Sequence, residues 1–184
     1  MWVFTYGSLM YDGWEEKFGC LCRERAQLQD FRRDFNKASR KFWGTNKVEC
    51  PTLGLRPEVG SSCQGIAFGF PDNGDLSEKV LLYLGEREGR SFSLRQQRIH
   101  LSSDDFVQAV VPINEYAVDL YAKEVYIGDK SLEERARMAS IASGVSGRCA
   151  KYVENFRAKL LALGIDDPYV EEFWKAVRSA SVSQ

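Results

Sequence analysis

The chain opens on Met1-Trp2-Val3-Phe4-Thr5-Tyr6-Gly7-Ser8-Leu9, nine residues around which the remaining 175 of its 184 can be arranged. Residues 1–5 have the aromatic and β-branched content of a buried strand. Gly7 and Ser8 then stop the run. A glycine at this point lets the backbone take conformations with φ > 0 and lets another molecule approach closely. Successive N–H groups in such a turn form a concavity suited to an anion, and Ser8 adds a hydroxyl that both donates and accepts. A buried strand ending in this way is a seat for a small carboxylate, a plain connecting turn being the alternative.

Outward from that stretch, residues 10–19 read as a loop or short helix carrying Trp14 and Phe18. Leu21 to Ala38 reads as two strands or one bent strand, with its Arg and Lys residues, Arg32-Arg33 among them, on a solvated face. Leu53-Gly54-Leu55 reads as a short strand ended by Pro57 and Gly60. Cys63 to Phe70 is a strand whose glycines signal a bulge or a close backbone approach. The cluster Pro71-Asp72-Asn73-Gly74-Asp75 is a turn and cap. It precedes a helix predicted over 76–88, with Leu76, Val80, Tyr83 and Leu84 at helical spacing. Strands are expected over 91–101, 106–113 and 115–121, antiparallel by their short connections. Beyond Ser131 the pattern is helical. A capping box, Ser131 with Glu134, opens one helix, Ser146 opens a second, and Pro168 takes the first position of a third. Strands first and helices gathered late define an α+β class, and the length fits one domain over 1–184.

Composition narrows the function. A formal net charge of -1 gives no electrostatic case for a nucleic acid or an anionic membrane as partner. No basic n-region precedes the apolar start, and no stretch approaches the ~18 apolar residues of a membrane span. Cys20, Cys22, Cys50, Cys63 and Cys149 form no C-x-x-C pair and read as reduced thiols of a cytoplasmic protein. A single histidine, His100, excludes zinc sites built on two or three histidines, and its strand-like setting marks it as structural. No acidic cluster has metal-ligand spacing, so neither metal nor cofactor is expected, and acid–base work falls to carboxylates, tyrosines or lysines. At about 100° per residue, Glu88 lies beside Leu84 and Leu81 at the edge of the apolar face of its helix, whereas Glu86 points away. Glu88 is the one expected to be partly desolvated, with its pKa raised, and so able to take and return a proton. A surface charge beside Arg87 is the plain alternative.

Two places, Tyr6–Leu9 and Arg87-Glu88, together resemble the γ-glutamylcyclotransferases, in particular the ChaC-type branch that acts on glutathione. Val3-Phe4-Thr5-Tyr6-Gly7-Ser8-Leu9-Met10 is similar to that family's N-terminal signature, and Tyr83-Leu84 followed by Arg87-Glu88 to its Tyr-Leu-x-x-Arg-Glu segment. Trp43-Gly44-Thr45, Cys63-Gln64-Gly65-Ile66-Ala67, Tyr126-Ile127-Gly128 and the tail from Ala142 to Pro168 fall in step. The chain departs at Arg90-Ser91-Phe92, where a Gly-Tyr is common, and at Cys149 and Lys151, where Asn and Glu are. The resemblance implies a small mixed or antiparallel β-barrel flanked by helices, with a helical C-terminal third. It also implies cleavage of glutathione to 5-oxoproline and cysteinylglycine without a cofactor. In that reading Glu88 is the general acid–base, the N–H groups of Gly7, Ser8 and Leu9 anchor the substrate α-carboxylate, Tyr6 packs beside it, and Tyr126 supplies a hydroxyl. The partner is then a small molecule; oligomeric state is not legible. Turnover of other γ-glutamyl amino acids or amines, or a regulatory module that binds them without turnover, are the rival readings.

Overall fold

The computed structural model describes residues 1–114 and 123–182; the strand expected over 115–121 lies outside them. Five strands, β1 (Trp2–Thr5), β2 (Cys22–Ser39), β3 (Cys50–Gly69), β4 (Phe92–Leu101) and β5 (Phe106–Asn114), close into a barrel in the order β1-β3-β2-β4-β5. The helix α1 (Gly74–Glu88) lies between β3 and β4 in sequence, and α2 (Leu132–Ile141), α3 (Cys149–Ala162) and α4 (Pro168–Val182) follow β5. This is the α+β class and the mixed barrel that the sequence led us to expect. The chain divides into two compact units, Met1–Arg32 with Pro57–Lys123 and Arg33–Arg56 with Glu124–Gln184.

In the first unit β1 is antiparallel to β3, with Trp2 opposite Gly69 and Thr5 opposite Ile66, and parallel to β5, with Trp2 beside Ala109 and Val3 beside Val110. Strands β4 and β5 pair antiparallel from Phe92 opposite Asn114 to His100 opposite Phe106. The glycine signal in β3 is a close approach. A Cβ on Gly65 would stand 2.3 Å from the Thr5 carbonyl oxygen and 2.6 Å from the Phe4 ring. Gly65→Ala is therefore expected to push β1 from β3 at a cost of about 1–3 kcal/mol, read as a lowered urea midpoint at unchanged slope.

Pro57 and Gly60 do not end a strand, contrary to expectation: β3 runs through both. Gly60 has φ +83° and Asp30, in β2, has φ +61°, and the Asp30 carboxylate accepts the Gly60 N–H at 2.8 Å. The two strands bend there, and the side chain satisfies the group that the bend takes out of the ladder. The expected bend in β2 is this one.

In the second unit, helix α2 opens on the predicted capping box, with the side chain of each of Ser131 and Glu134 accepting the other's backbone N–H. The start expected at Ser146 is displaced to Cys149, because a two-stranded hairpin, β6 (Ser143–Gly144) with β7 (Gly147–Arg148), comes first. Phe35 stacks on Phe173 with ring centroids 4.2 Å apart and meets Tyr152 edge-on, drawing α3 and α4 onto the end of β2. Two expectations fail here. Arg33 is not on a solvated face: it is 1% exposed and pairs with Asp167 at 2.8 Å. Its neighbour Arg32 pairs with Glu58 at 2.9 Å in the first unit; successive strand residues point to opposite faces, so two adjacent arginines meet different surroundings. Nor are all five thiols reduced. Cys50 and Cys149, both buried and with Cα atoms 5.7 Å apart, form a disulfide between β3 and α3. Their sequence separation of 99 hides the pair from any spacing rule. Cys20, Cys22 and Cys63 are outside any disulfide.

No helix among the described residues is long and apolar enough to cross a membrane.

Candidate active site

Tyr6, Gly7, Ser8, Leu9 and Glu88 all belong to the first unit. Because β1 and β5 run parallel, their C-terminal ends fall on one side of the barrel. The Tyr6 hydroxyl fixes that alignment by donating to the Pro112 carbonyl at 2.9 Å in a buried bond. After Tyr6 the chain makes a 3-10 turn over Ser8–Met10, the Met10 N–H meeting the Gly7 carbonyl at 3.1 Å and the Tyr11 N–H that of Ser8 at 3.2 Å. The first N–H groups of such a turn have no acceptor inside it. Ser8 is exposed and Gly7 half-buried, while Leu9 and Met10 are buried anchors. Gly7 does not use the freedom it has to take a positive φ: its φ is -115°, so no φ strain would follow from a side chain there, and close approach is the role left to it.

Helix α1 delivers Glu88. The Asn73 side chain caps its start by accepting the Leu76 N–H at 3.2 Å, Val80 and Leu84 bury its inner face, and Gly89, with φ +74°, ends it directly after Glu88. Glu88 is half-buried. Glu86 is exposed and lines a shallow groove with Leu82 and Gly85. The periodicity thus separates the two glutamates correctly.

What sequence reasoning missed is the strapping between helix and turn. Arg87 donates to the Tyr83 hydroxyl at 3.0 Å and forms an ion pair with Asp12, three residues past Leu9. Burial works against the charge of Arg87, but the Tyr83 hydroxyl and the Asp12 and Glu88 carboxylates outweigh it and hold the guanidinium above its ordinary pKa. Trp14, 1% exposed, donates from Nε1 to the Leu9 carbonyl at 3.0 Å, and its ring stacks on that of Tyr83 at 5.8 Å and 12°. The end of α1 is thereby held to the Tyr6–Leu9 segment through a charge pair, a ring stack and a hydrogen bond. The only available signals were Tyr83 one helical turn before Arg87 and an isolated tryptophan in a loop.

Tyr126, expected to supply a hydroxyl, belongs to the second unit, where it bridges to Lys37 and packs on Gly128, at which a Cβ would stand 2.3 Å from its hydroxyl oxygen. Of the departing positions, Phe92 opens β4, Cys149 is the disulfide partner of Cys50, and Lys151 pairs with Glu154 at 2.6 Å on the surface. His100 is structural: it bonds Asp104 at 2.8 Å and stacks on Phe106 with centroids 4.6 Å apart.

The barrel and helices resemble solved structures. Two crystal structures of a yeast γ-glutamylcyclotransferase described as specific to glutathione superpose with TM-scores of 0.79 and 0.78 at 18% and 19% identity. They cover 100% and 98% of this chain and 98% and 99% of theirs. At that identity the likeness is one of fold. In sequence, two Arabidopsis thaliana proteins, Gamma-glutamylcyclotransferase 2-1 and 2-3, are 26% and 28% identical over 180 residues. The match takes in 97% of this chain and 82% and 88% of theirs. The family model of ChaC-like proteins matches residues 1–180. The chain belongs to the ChaC-like protein family.

Proposed function

We propose that the protein is a γ-glutamylcyclotransferase that cleaves glutathione to 5-oxoproline and cysteinylglycine, as one domain over 1–184. The observation that carries the proposal is the attachment of the Glu88 helix end to the Tyr6–Leu9 turn through Arg87–Asp12 and Trp14–Tyr83. It joins a half-buried carboxylate to a turn whose leading N–H groups suit an anion.

The reaction is an internal aminolysis. The α-amine of the γ-glutamyl group attacks its own γ-carbonyl carbon; a C–N bond forms, closing the five-membered lactam, and the original amide C–N bond breaks. Nucleophile and electrophile share one molecule, so the protein has to hold the chain in the attacking conformer rather than assemble two partners. In our reading the α-carboxylate rests on the N–H groups of Gly7, Ser8 and Leu9, and the same turn polarises the γ-carbonyl. Glu88 takes a proton from the attacking ammonium and returns it to the departing nitrogen. Two protons leave the amine in all, one before attack and one as the lactam closes; both end on the departing nitrogen, whose amide N–H becomes the ammonium of cysteinylglycine.

The name carried by the yeast protein of the same fold supports glutathione as the substrate; the names of the Arabidopsis relatives support the γ-glutamyl group alone. Incubating the purified protein separately with glutathione, γ-glutamyl-alanine and γ-glutamyl-ε-lysine and following 5-oxoproline tests both levels. We expect release from glutathione at the highest kcat/KM. Release from another member of the panel instead would keep the reaction and change the substrate. None from any of the three would overturn the reading.

A further inference from the structure

The last residue of β5, Asn114, is 6% exposed, and its amide is held in one sense: Nδ2 donates to the Ser91 carbonyl at 2.9 Å. Its Oδ1 is buried and has no hydrogen-bond donor among the described residues. Rotating the amide would set Oδ1 against another acceptor and orphan the N–H instead, so the present sense is the one the network demands. A buried acceptor without a partner costs stability, and an apolar side chain would avoid that cost. Such a group in a folded protein calls for an explanation.

Its position supplies one. The parallel register of Trp2 with Ala109 and Val3 with Val110, extended by the same offset, sets Gly7 against Asn114, and the Tyr6 side chain reaches the Pro112 carbonyl, two residues before Asn114. On the other flank Asn114 pairs with Phe92, whose N–H bonds the Gly89 carbonyl at 3.1 Å, and Gly89 follows Glu88. Asn114 therefore stands at the strand end shared by the Gly7 turn and the segment leaving Glu88.

We infer that Asn114 Oδ1 accepts a hydrogen bond from the α-amino group of the γ-glutamyl substrate. This rests on the function proposed above and adds a substrate-binding residue to it. An amide oxygen suits the task chemically. It accepts from the ammonium and, because a neutral amine keeps two N–H bonds, still accepts after deprotonation. Being uncharged and only weakly basic, it orients the nucleophile without competing with Glu88 for the proton. A carboxylate at this place would compete.

The test uses Asn114→Thr and Asn114→Leu, each compared with wild type on two ligands. One is glutathione, or whichever panel member is turned over. The other is its deamino analogue with a glutaryl in place of the γ-glutamyl group, which has no α-amine and is scored as an inhibitor. We expect KM for the substrate to rise about tenfold or more, as for a hydrogen bond to a charged group, with the inhibition constant of the analogue within twofold of wild type. Equal weakening of both ligands would mean that Asn114 only supports Ser91, and the inference falls. An unchanged KM overturns it as well. Should Asn114→Leu not fold, Asn114→Thr alone decides. Absence of turnover by the wild type on the whole panel would sink the function itself, a result distinct from either.

Discussion

Glu88→Gln is expected to end 5-oxoproline release, with kcat reduced about 10²–10⁴-fold, the usual worth of a positioned general acid–base. Glutamine keeps the length and hydrogen-bonding capacity of the side chain but cannot carry the proton from the attacking amine to the departing nitrogen. Glu88 is half-buried at the end of α1, beyond the buried pair Val80 and Leu84 that fixes the helix. Its replacement should leave the far-ultraviolet circular dichroism and the melting temperature unchanged within error. Glu86→Gln is the matched control: one turn-face away and exposed, it should retain activity within twofold. A Glu88→Gln enzyme within tenfold of wild type would remove Glu88 from the mechanism and leave the strapped turn without a proton carrier.

The largest stability effect is expected at Asp167→Asn. Arg33 is 1% exposed, and Asp167 is its carboxylate partner at 2.8 Å. The same residue uses its other oxygen to cap α4, accepting the Tyr169 and Val170 N–H groups at 3.1 Å each. Asparagine can still cap, so the substitution isolates the charge. Stranding a buried guanidinium costs about 3–5 kcal/mol, a large share of the roughly 5–15 kcal/mol that holds a domain folded. Chemical denaturation should show the loss directly. The double variant Arg33→Met with Asp167→Asn should recover most of it, because the penalty comes from the unpaired charge rather than from the missing pair. A single-variant loss below about 1 kcal/mol would mean that the Arg33 charge does not depend on Asp167.

Local signals carried the reading of the chain furthest where one element decides for itself. The Asn73 cap, the Ser131–Glu134 box, Pro168 at the head of α4 and the opposed facing of Glu86 and Glu88 all rest on one helical turn of sequence, and all stand in the structure. The strand readings went astray at Pro57 and Gly60, where a partner in another strand, Asp30, rescues a bend that looks terminal in isolation. Adjacent arginines look alike in sequence, and only the alternation of a strand with unequal surroundings on its two faces sends Arg33 inward. The Cys50–Cys149 bond is a contact of high separation with no spacing signature. Tyr6–Leu9 and Glu88, the residues of the proposed site, could be singled out because they fall in motifs. The contacts of Asp12 and Trp14 and the buried amide of Asn114 could not, since their neighbours are brought near only by the fold.

The same four-residue strand, β1, lies between β3 and β5 in the barrel order and leads straight into the Gly7 turn. Trimming the amino-terminal segment through that turn would thus unzip two neighbours and delete the proposed carboxylate seat in one stroke. A shortened chain that loses turnover says nothing about which of those losses was responsible. Only single-atom changes such as carboxylate to amide, made in an otherwise intact chain, can separate chemistry from architecture here.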